Sequence, residues 1–114
     1  MRAVIVKQSG GMNQLTISGV PTPKPAPGEL LVRVRAAALN RADILQREGN
    51  YPPPPGASEI LGLDMAGVVE EAGRGCKTRR AGDRVFGLLP GGGYAEYAVI
   101  PEAMAMLIPG LDVV

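Results

Sequence analysis

The residues best suited to chemistry lie close together, between residues 38 and 73. Asn40, Arg41 and Asp43 stand within four positions of one another, and Tyr51 directly precedes a run of four prolines. A phenol beside so stiff a segment would present a hydrogen-bond donor at a fixed place, which suits the polarisation of a carbonyl oxygen. A tyrosine packed in a loop is the structural alternative.

Asn40 and Asp43 have a structural explanation as well as a chemical one. Asn40 suits the N-cap of a helix that we predict over residues 41–48, and Asp43 falls in its first turn, where a negative charge complements the helix dipole. Gly49 suits the left-handed position after the helix. From the residues alone, the structural explanation is favoured for Asn40 and Asp43.

Metal and nucleophilic chemistry find little support in the sequence. The chain has no histidine and a single cysteine, Cys76. Because a zinc site needs three or four Cys, His or carboxylate ligands, we expect no metal. Cys76 stands among Arg74, Lys77 and Arg79, which could make a thiol more reactive. No neighbouring base supports a nucleophile, and we interpret Cys76 as an ordinary turn residue.

Composition narrows the class of protein. A chain of 114 residues is long enough for one domain, and its formal net charge of +1 gives no basic surplus that would indicate a nucleic-acid partner. No apolar run is long enough to indicate a secretory signal or a membrane span. We therefore expect a cytoplasmic domain whose partner is a small molecule or a protein, with neither nucleic acid nor membrane.

The elements that position these residues are predicted to be short. The 16 glycines and 11 prolines lie between apolar segments, which is typical of strands joined by turns. The pattern predicts six or seven strands and one helix of about two turns. The predicted strands cover residues 3–6, 15–20, 29–39, 60–72, 84–89 and 94–100.

Three connecting segments have alternative interpretations. The proline-rich residues 21–28 predict a rigid surface spacer, the alternative being a ligand for a proline-binding domain. The basic residues within 73–82 predict a solvated connection, the alternative being contact with a cofactor phosphate. The glycines at 91–93 predict a flexible loop, because the G-x-G-x-x-G spacing of a dinucleotide site is missing. Any nucleotide-binding half would therefore lie outside this chain.

Five segments carry a specific family likeness: NRAD at 40–43, QREGNYPPPPGAS at 46–58, LGLDMAG at 61–67, GDRV at 82–85 and LLPGGGYAEY at 88–97. Together they resemble the quinone oxidoreductase branch of the medium-chain dehydrogenase/reductase superfamily. Within that branch they resemble the tumour-suppressor-inducible, NADPH-dependent quinone reductases. The resemblance covers the chain from Met1 to about Pro109.

The resemblance implies a fold and a domain organisation. Residues 1–114 would form a GroES-like, partly open β-barrel, mainly β with a short helix, as the substrate-side part of a catalytic domain. A Rossmann domain that binds NADPH would lie outside the chain. Because segments outside these residues complete the family barrel, we expect the isolated chain to be marginally stable. Asn40 and Leu63 stand where zinc-dependent relatives have a cysteine and a histidine, which implies a zinc-independent enzyme.

The resemblance also implies roles for individual residues. Asn40, with Arg41 beside it, would contact the nicotinamide end of the cofactor, and Tyr51 would line the quinone pocket as its main aromatic donor. Leu45 stands where some relatives carry a second tyrosine, and it would line the pocket with Leu63. Asp64 replaces a more usual glutamate and would border the same pocket.

The implied function is hydride transfer from NADPH to a quinone, with no metal. The whole protein would be a cytoplasmic homo-oligomer, and this chain alone would be inactive. Two alternatives stay open from the sequence. The chain could be a truncated or stand-alone GroES-like interaction module without activity, or part of a related NADPH-dependent enone or alkenal reductase.

Overall fold

The structure, a computed structural model, describes residues 1–38, 41–49, 58 and 60–109. Within these residues the chain forms seven β-strands, one α-helix and two short 3-10 helices. The strands are β1 (Arg2–Val6), β2 (Leu15–Gly19), β3 (Glu29–Ala36), β4 (Asp64–Ala72), β5 (Arg84–Leu88), β6 (Tyr97–Pro101) and β7 (Met106–Leu107). The helix α1 covers Arg41–Arg47, and the 3-10 helices cover Met12–Gln14 and Glu102–Met104.

The strands form two antiparallel sheets that stay open. β1 and β2 make a two-stranded sheet, and the other five strands lie in the order β6-β3-β4-β5-β7. In the larger sheet Val32 of β3 lies opposite Ala98 of β6 on one side and Val69 of β4 on the other. A single bridge between Ala3 and Ala95 joins the two-stranded sheet to the segment before β6. The predicted mainly β, partly open architecture is therefore confirmed.

The core lies on one face of the larger sheet. In β4 the buried positions alternate with half-buried ones from Met65 to Val69, as expected of a strand with one face packed inward. Burial of each large aliphatic side chain contributes roughly 1.5–3 kcal/mol of hydrophobic free energy. The largest fully buried side chains are Leu30, Val32, Val69, Val85 and Ile100.

The helix and the first two strands follow their predicted positions closely. α1 ends at Arg47, one residue before the prediction, and Gly49 follows with a φ of 88°. The residues from 21 to 26 form no regular element, as predicted for a spacer. Cys76 packs against the core, and its Sγ donates to the backbone oxygen of Glu29 at 3.4 Å, so it is more than a turn residue.

The strands around the site depart from the sequence predictions. β3 ends at Ala36, and both faces of its first half are buried, because Leu31 is covered as well as Leu30 and Val32. β4 begins only at Asp64, because Gly62 adopts a φ of 111° that bends the preceding residues out of the ladder.

Residues 91–93 form a loop, as predicted, but the loop is tightly packed and the expected flexibility is wrong. Gly91, Gly92 and Gly93 are all buried, and they pack against the backbone of residues 58–64. A Cβ added at Gly93 would lie 2.9 Å from the backbone oxygen of Asp64. The glycines are therefore needed for close packing between two backbone segments, and this requirement has the same sequence signature as flexibility.

Candidate functional site

A buried acid on α1 contacts a tyrosine from a distant part of the chain. Asp43 is 4% exposed, and its Oδ2 accepts a hydrogen bond from the Tyr94 hydroxyl at 2.5 Å. The two residues are 51 positions apart in sequence. A hydrogen bond to an ionised acceptor is among the stronger ones in proteins, so this contact fixes the first turn of α1 against the segment before β6.

Tyr94 reaches Asp43 because its backbone is paired with the segment before β4. The N–H of Tyr94 donates to the Leu61 oxygen at 2.9 Å, and the N–H of Gly93 donates to the Gly62 oxygen at 3.1 Å. A Cβ at Gly62 would lie 2.6 Å from the Cα of Gly93, so only glycine permits this approach. On its other side, the Tyr94 oxygen accepts from the N–H of Val4 at 2.9 Å.

Ala38 follows the end of β3, and both its N–H and its backbone oxygen contact side chains from other parts of the chain. Its N–H donates to Oδ1 of Asp64 at 2.9 Å. Its backbone oxygen lies 3.4 Å from the Tyr94 hydroxyl. Tyr94 therefore lies within hydrogen-bonding reach of residues 38 and 43, which flank the segment that contains Asn40.

The electrostatic setting keeps the Tyr94 hydroxyl protonated. Burial raises the pKa of Tyr94 well above its usual value, and the hydrogen bond to Asp43 raises it further. The negative charges of Asp43 and Asp64 add to the same effect. At neutral pH the hydroxyl therefore keeps its hydrogen and donates it to Oδ2 of Asp43.

An apolar groove lies beside the polar cluster formed by Asp43, Asp64 and Tyr94. Its volume is about 550 Å³, and Ala38 and Asp64 belong to its lining. Several large apolar side chains in it are exposed: Leu88 is 64% exposed and Met106 is 55% exposed. The groove is lined by residues from β3, β4, β5 and the segment around β7: Ala36, Ala37, Ala38, Asp64, Met65, Ala66, Phe86, Gly87, Leu88, Met104 and Met106.

The predicted site residues occupy different surroundings. Asp64 opens β4 and lines the groove. Arg41 is exposed at the start of α1, and Leu45 is half-buried on the same helix. Leu63 is half-buried just before β4, and its backbone oxygen accepts from the N–H of Leu89 at 2.7 Å. Arg41, Leu45 and Leu63 are not among the described residues that line the groove.

Two predicted site residues lie outside the described part of the chain. Asn40 and Tyr51 both fall in the gaps between the described ranges, as does the proline run from 52 to 55. Their roles stay predictions. Tyr94, which the sequence indicated only as a strand residue, is the site residue that sequence reasoning missed. The available signal was the position of Tyr94 directly after Gly93. Glycines that pack closely against another backbone bring the next side chain toward the interior.

The basic connection between β4 and β5 is held by a carboxylate. The side chain of Glu102 accepts hydrogen bonds from the backbone N–H groups of Lys77, Thr78 and Arg79, at 2.9 to 3.0 Å for the shortest contact of each. These bonds, the one from Thr78 most of all, lower the pKa of Glu102. The connection is therefore an ordered turn.

The residues that could hold a metal or cross a membrane can be assessed in the described part of the chain. There, no three Cys, His, Asp or Glu side chains come together in a group that could bind a metal ion. Within the same residues, no helix has the length and apolar character to span a bilayer.

The sequence matches one known domain family. Residues 26–110 match the alcohol dehydrogenase GroES-like domain. The match covers most of the chain, including every residue from β3 to β7, and so includes both the polar cluster and the groove.

Curated relatives include both enzymes and proteins named for their location. The chain is 37% identical over 109 residues to the synaptic vesicle membrane protein VAT-1 homolog-like of Mus musculus, and 37% identical over 112 residues to a quinone oxidoreductase of Lama guanicoe. It is 42% identical over 110 residues to the trans-enoyl reductase FMN2 of Fusarium mangiferae. Each match covers 96% of this chain but only 26%, 34% and 28% of the respective relative.

Solved structures of similar proteins also match this chain over almost its whole length. The chain superposes on the human synaptic vesicle membrane protein VAT-1 homolog-like protein with a TM-score of 0.90 and 34% identity, covering 99% of this chain and 37% of that one. It superposes on the Escherichia coli quinone oxidoreductase complexed with NADPH with a TM-score of 0.89 and 29% identity, covering 99% and 35%. The chain thus spans about a third of the length of these structures.

Proposed function

Because this chain belongs to the alcohol dehydrogenase GroES-like domain family of the medium-chain dehydrogenase/reductase superfamily, we propose that it is the substrate-side domain of an NADPH-dependent quinone oxidoreductase. Its likeness to quinone oxidoreductases in sequence and in structure supports the proposal. Because the chain spans about a third of these relatives, the proposed reaction belongs to a longer protein that includes residues 1–114.

The observation that carries the proposal is the polar cluster at the border of the apolar groove. Asp64 accepts a hydrogen bond from the N–H of Ala38, and the Tyr94 hydroxyl donates to Asp43 on α1. An uncharged, largely apolar acceptor such as a quinone suits such surroundings, because its binding needs apolar surface and few polar contacts. A charged or heavily hydroxylated substrate would leave its polar groups unsatisfied there.

We assign roles to residues of this chain in the proposed reaction. Asn40 and Arg41 orient the nicotinamide end of NADPH, and Tyr51 donates a hydrogen bond to the quinone oxygen on which charge grows. Asp64 borders the quinone at the groove. The same role for Leu45 and Leu63, which lie outside the groove lining, rests on the family resemblance alone.

The cofactor has to be held mainly by another domain. The sequence has no G-x-G-x-x-G turn between a strand and a helix, which is the usual cradle for the cofactor pyrophosphate. When bound, NADPH supplies the hydride. The part played by this chain is to orient the nicotinamide and bind the quinone, and after hydride transfer the hydroquinone oxygen takes its proton from water. In this proposal no metal takes part, and the longer protein is a cytoplasmic homo-oligomer.

A second candidate function is reduction of an enone or enoyl double bond. The observation that favours it is the 42% identity to a trans-enoyl reductase over 110 residues. The two reactions share hydride donation and differ in the acceptor, so an acceptor with a carbonyl-conjugated double bond separates them. A module without activity is the remaining alternative, and a longer protein that binds NADPH would contradict it.

The coding sequence downstream of residue 114 is the first test. We expect it to continue into a strand, a glycine-rich turn and a helix, followed by the rest of a nucleotide-binding domain. The second test measures NADPH binding by isothermal titration calorimetry, with the 114-residue chain and with the longer protein. We expect tight binding only by the longer protein, and tight binding by the short chain would overturn the proposed division of labour.

A further inference from the structure

We propose that Tyr94 is a positioning residue that holds the start of α1, where Arg41 stands, in place against the sheets. The inference rests on the proposed function, in which Arg41 helps to orient the nicotinamide. It extends that function to a residue that does not touch the cofactor or the substrate in our account. Tyr94 acts through Asp43, to which its hydroxyl donates, and the same oxygen lies 3.4 Å from the backbone oxygen of Ala38.

The first step of the argument is the position of these contacts in the chain. Ala38 is the last described residue before Asn40, and Asp43 lies in the first turn of the helix that begins directly after it. The hydroxyl lies 3.4 Å from the Ala38 oxygen and 2.5 Å from Oδ2 of Asp43. One side-chain oxygen thus lies close both to the chain that leaves β3 and to the first turn of α1.

The second step is that Tyr94 is itself fixed from both sides. Its N–H and its carbonyl oxygen are both hydrogen-bonded, to Leu61 and Val4 respectively, each at 2.9 Å. The next residue, Ala95, forms a bridge with Ala3 of β1. Because the backbone is held, the position of the hydroxyl is set by the sheets rather than by α1. The contact with Asp43 therefore holds α1 at a place that the two sheets determine.

The third step concerns the hydrogen of the hydroxyl. A phenol has one hydrogen to donate, and the shorter contact assigns it to Asp43. Asp43 is buried, so loss of this donor removes a tertiary hydrogen bond at a place where water cannot easily replace it. The first turn of α1 would then shift or loosen, while the apolar core around Val32 and Ile100 would keep its contacts.

The test compares Tyr94→Phe with Tyr97→Phe. Both changes remove one phenolic oxygen, and Tyr97 lies on β6, so the second variant is the matched control. In the 114-residue chain, hydrogen–deuterium exchange followed by mass spectrometry reports on the amides of residues 41–47. We expect Tyr94→Phe to speed their exchange about tenfold while β3 and β4 exchange as in the wild type, since local opening is governed by local contacts. Tyr97→Phe should leave α1 unchanged.

Kinetics of the longer protein give the readout that general loss of stability would not move. In Tyr94→Phe we expect kcat for quinone reduction to fall about tenfold and the Kd for NADPH to stay within about twofold, because misplacement affects the reacting groups more than cofactor binding. Asp43→Asn keeps an oxygen acceptor for Tyr94 and should lose less kcat than Asp43→Leu.

The outcomes separate the inference from the proposed function. Unchanged exchange in α1 after Tyr94→Phe overturns the inference, whatever the activity of the longer protein. Unchanged kcat in an active Tyr94→Phe enzyme overturns it as well. A wild-type protein that binds NADPH without reducing any quinone overturns the proposed function, and faster exchange confined to α1 would still support the positioning of the helix by Tyr94.

Discussion

The Tyr94 hydroxyl donates a hydrogen bond to Oδ2 of Asp43 across 2.5 Å and 51 positions of sequence. This bond connects the only α-helix of the described residues to the glycine-rich segment that precedes β6. Asp43 is therefore more than a residue that complements a helix dipole. It is the buried end of a tertiary contact that borders the candidate site.

A double-mutant cycle measures the strength of this contact. We expect Asp43→Ala and Tyr94→Phe to couple by about 1–3 kcal/mol in the free energy of unfolding, since a buried hydrogen bond to a charged group is lost in either single variant. Chemical unfolding of the 114-residue chain at dilute concentration provides the measurement. The cycle of Asp43→Ala with Tyr97→Phe is the control. Equal coupling energies in the two cycles would show that the contact between Tyr94 and Asp43 does not specifically stabilise the fold.

Glycine at position 62 is required by the close approach of two backbones. A Cβ there would lie 2.6 Å from the Cα of Gly93, and the φ of 111° is one that other residues rarely adopt. We expect Gly62→Ala to cost more than about 2 kcal/mol of folding stability, from backbone strain and from the displaced segment. Gly75 has a φ of 84° and nothing within 4 Å of an added Cβ, so Gly75→Ala pays for strain alone. A Gly62→Ala variant no less stable than Gly75→Ala would contradict the packing.

Acid should weaken the turn between β4 and β5 through Glu102. Backbone N–H groups, led by that of Thr78, lower the pKa of this carboxylate below that of the unfolded chain. The stability that they provide is therefore present above the unfolded pKa, about 4.3, and is lost as pH falls through the folded value. We expect unfolding experiments between about pH 6 and pH 3 to show a shallower pH dependence in Glu102→Gln than in the wild type.

The control for this experiment keeps the donors in place. Lys77→Met retains the three backbone N–H groups and removes one side-chain charge. We expect it to follow the pH dependence of the wild type. A flattened profile in Lys77→Met would mean that charge, and not the backbone donors, stabilises Glu102.

The apolar groove should make the isolated chain prone to association. Leu88 and Met106 are more than half exposed, and Phe86 and Met104 beside them are 40% and 48% exposed. Exposed apolar surface of this kind favours self-association and dye binding. Sedimentation of the 114-residue chain should show oligomers, and Leu88→Gln with Met106→Gln should reduce them. Ile17→Gln, on β2 and outside the groove, is the control, and a monomeric wild-type chain would contradict the expectation.

Much of the fold was accessible from the sequence, because its signals are local. The helix from Arg41 and its end before Gly49 follow from capping and left-handed preferences, and β1, β2 and β5 follow from short apolar runs between turns. The glycines at 91–93 were misinterpreted, because flexibility and close backbone packing select the same residue. The strand predicted over residues 60–72 likewise begins too early, since the ladder starts only at Asp64, after Gly62.

The candidate site was less accessible than the fold. The position of Asp43 in the first turn of a helix is enough to explain an acid there, so the sequence does not call for a distant partner. Nothing local in the sequence connects it to Tyr94, because the contact depends on the pairing of residues 60–63 with residues 89–94. The exposed groove was expected only in general terms, since its lining comes from strands that are far apart in sequence.

The central claim is tested most directly by the quinone-dependent oxidation of NADPH by the longer protein, in the presence of a metal chelator. The account predicts steady turnover with a simple benzoquinone, and a kcat at least about tenfold lower in Tyr51→Phe with the NADPH Kd unchanged, since a donor to the growing charge is removed. A folded protein that binds NADPH and shows no quinone-dependent oxidation would contradict the account.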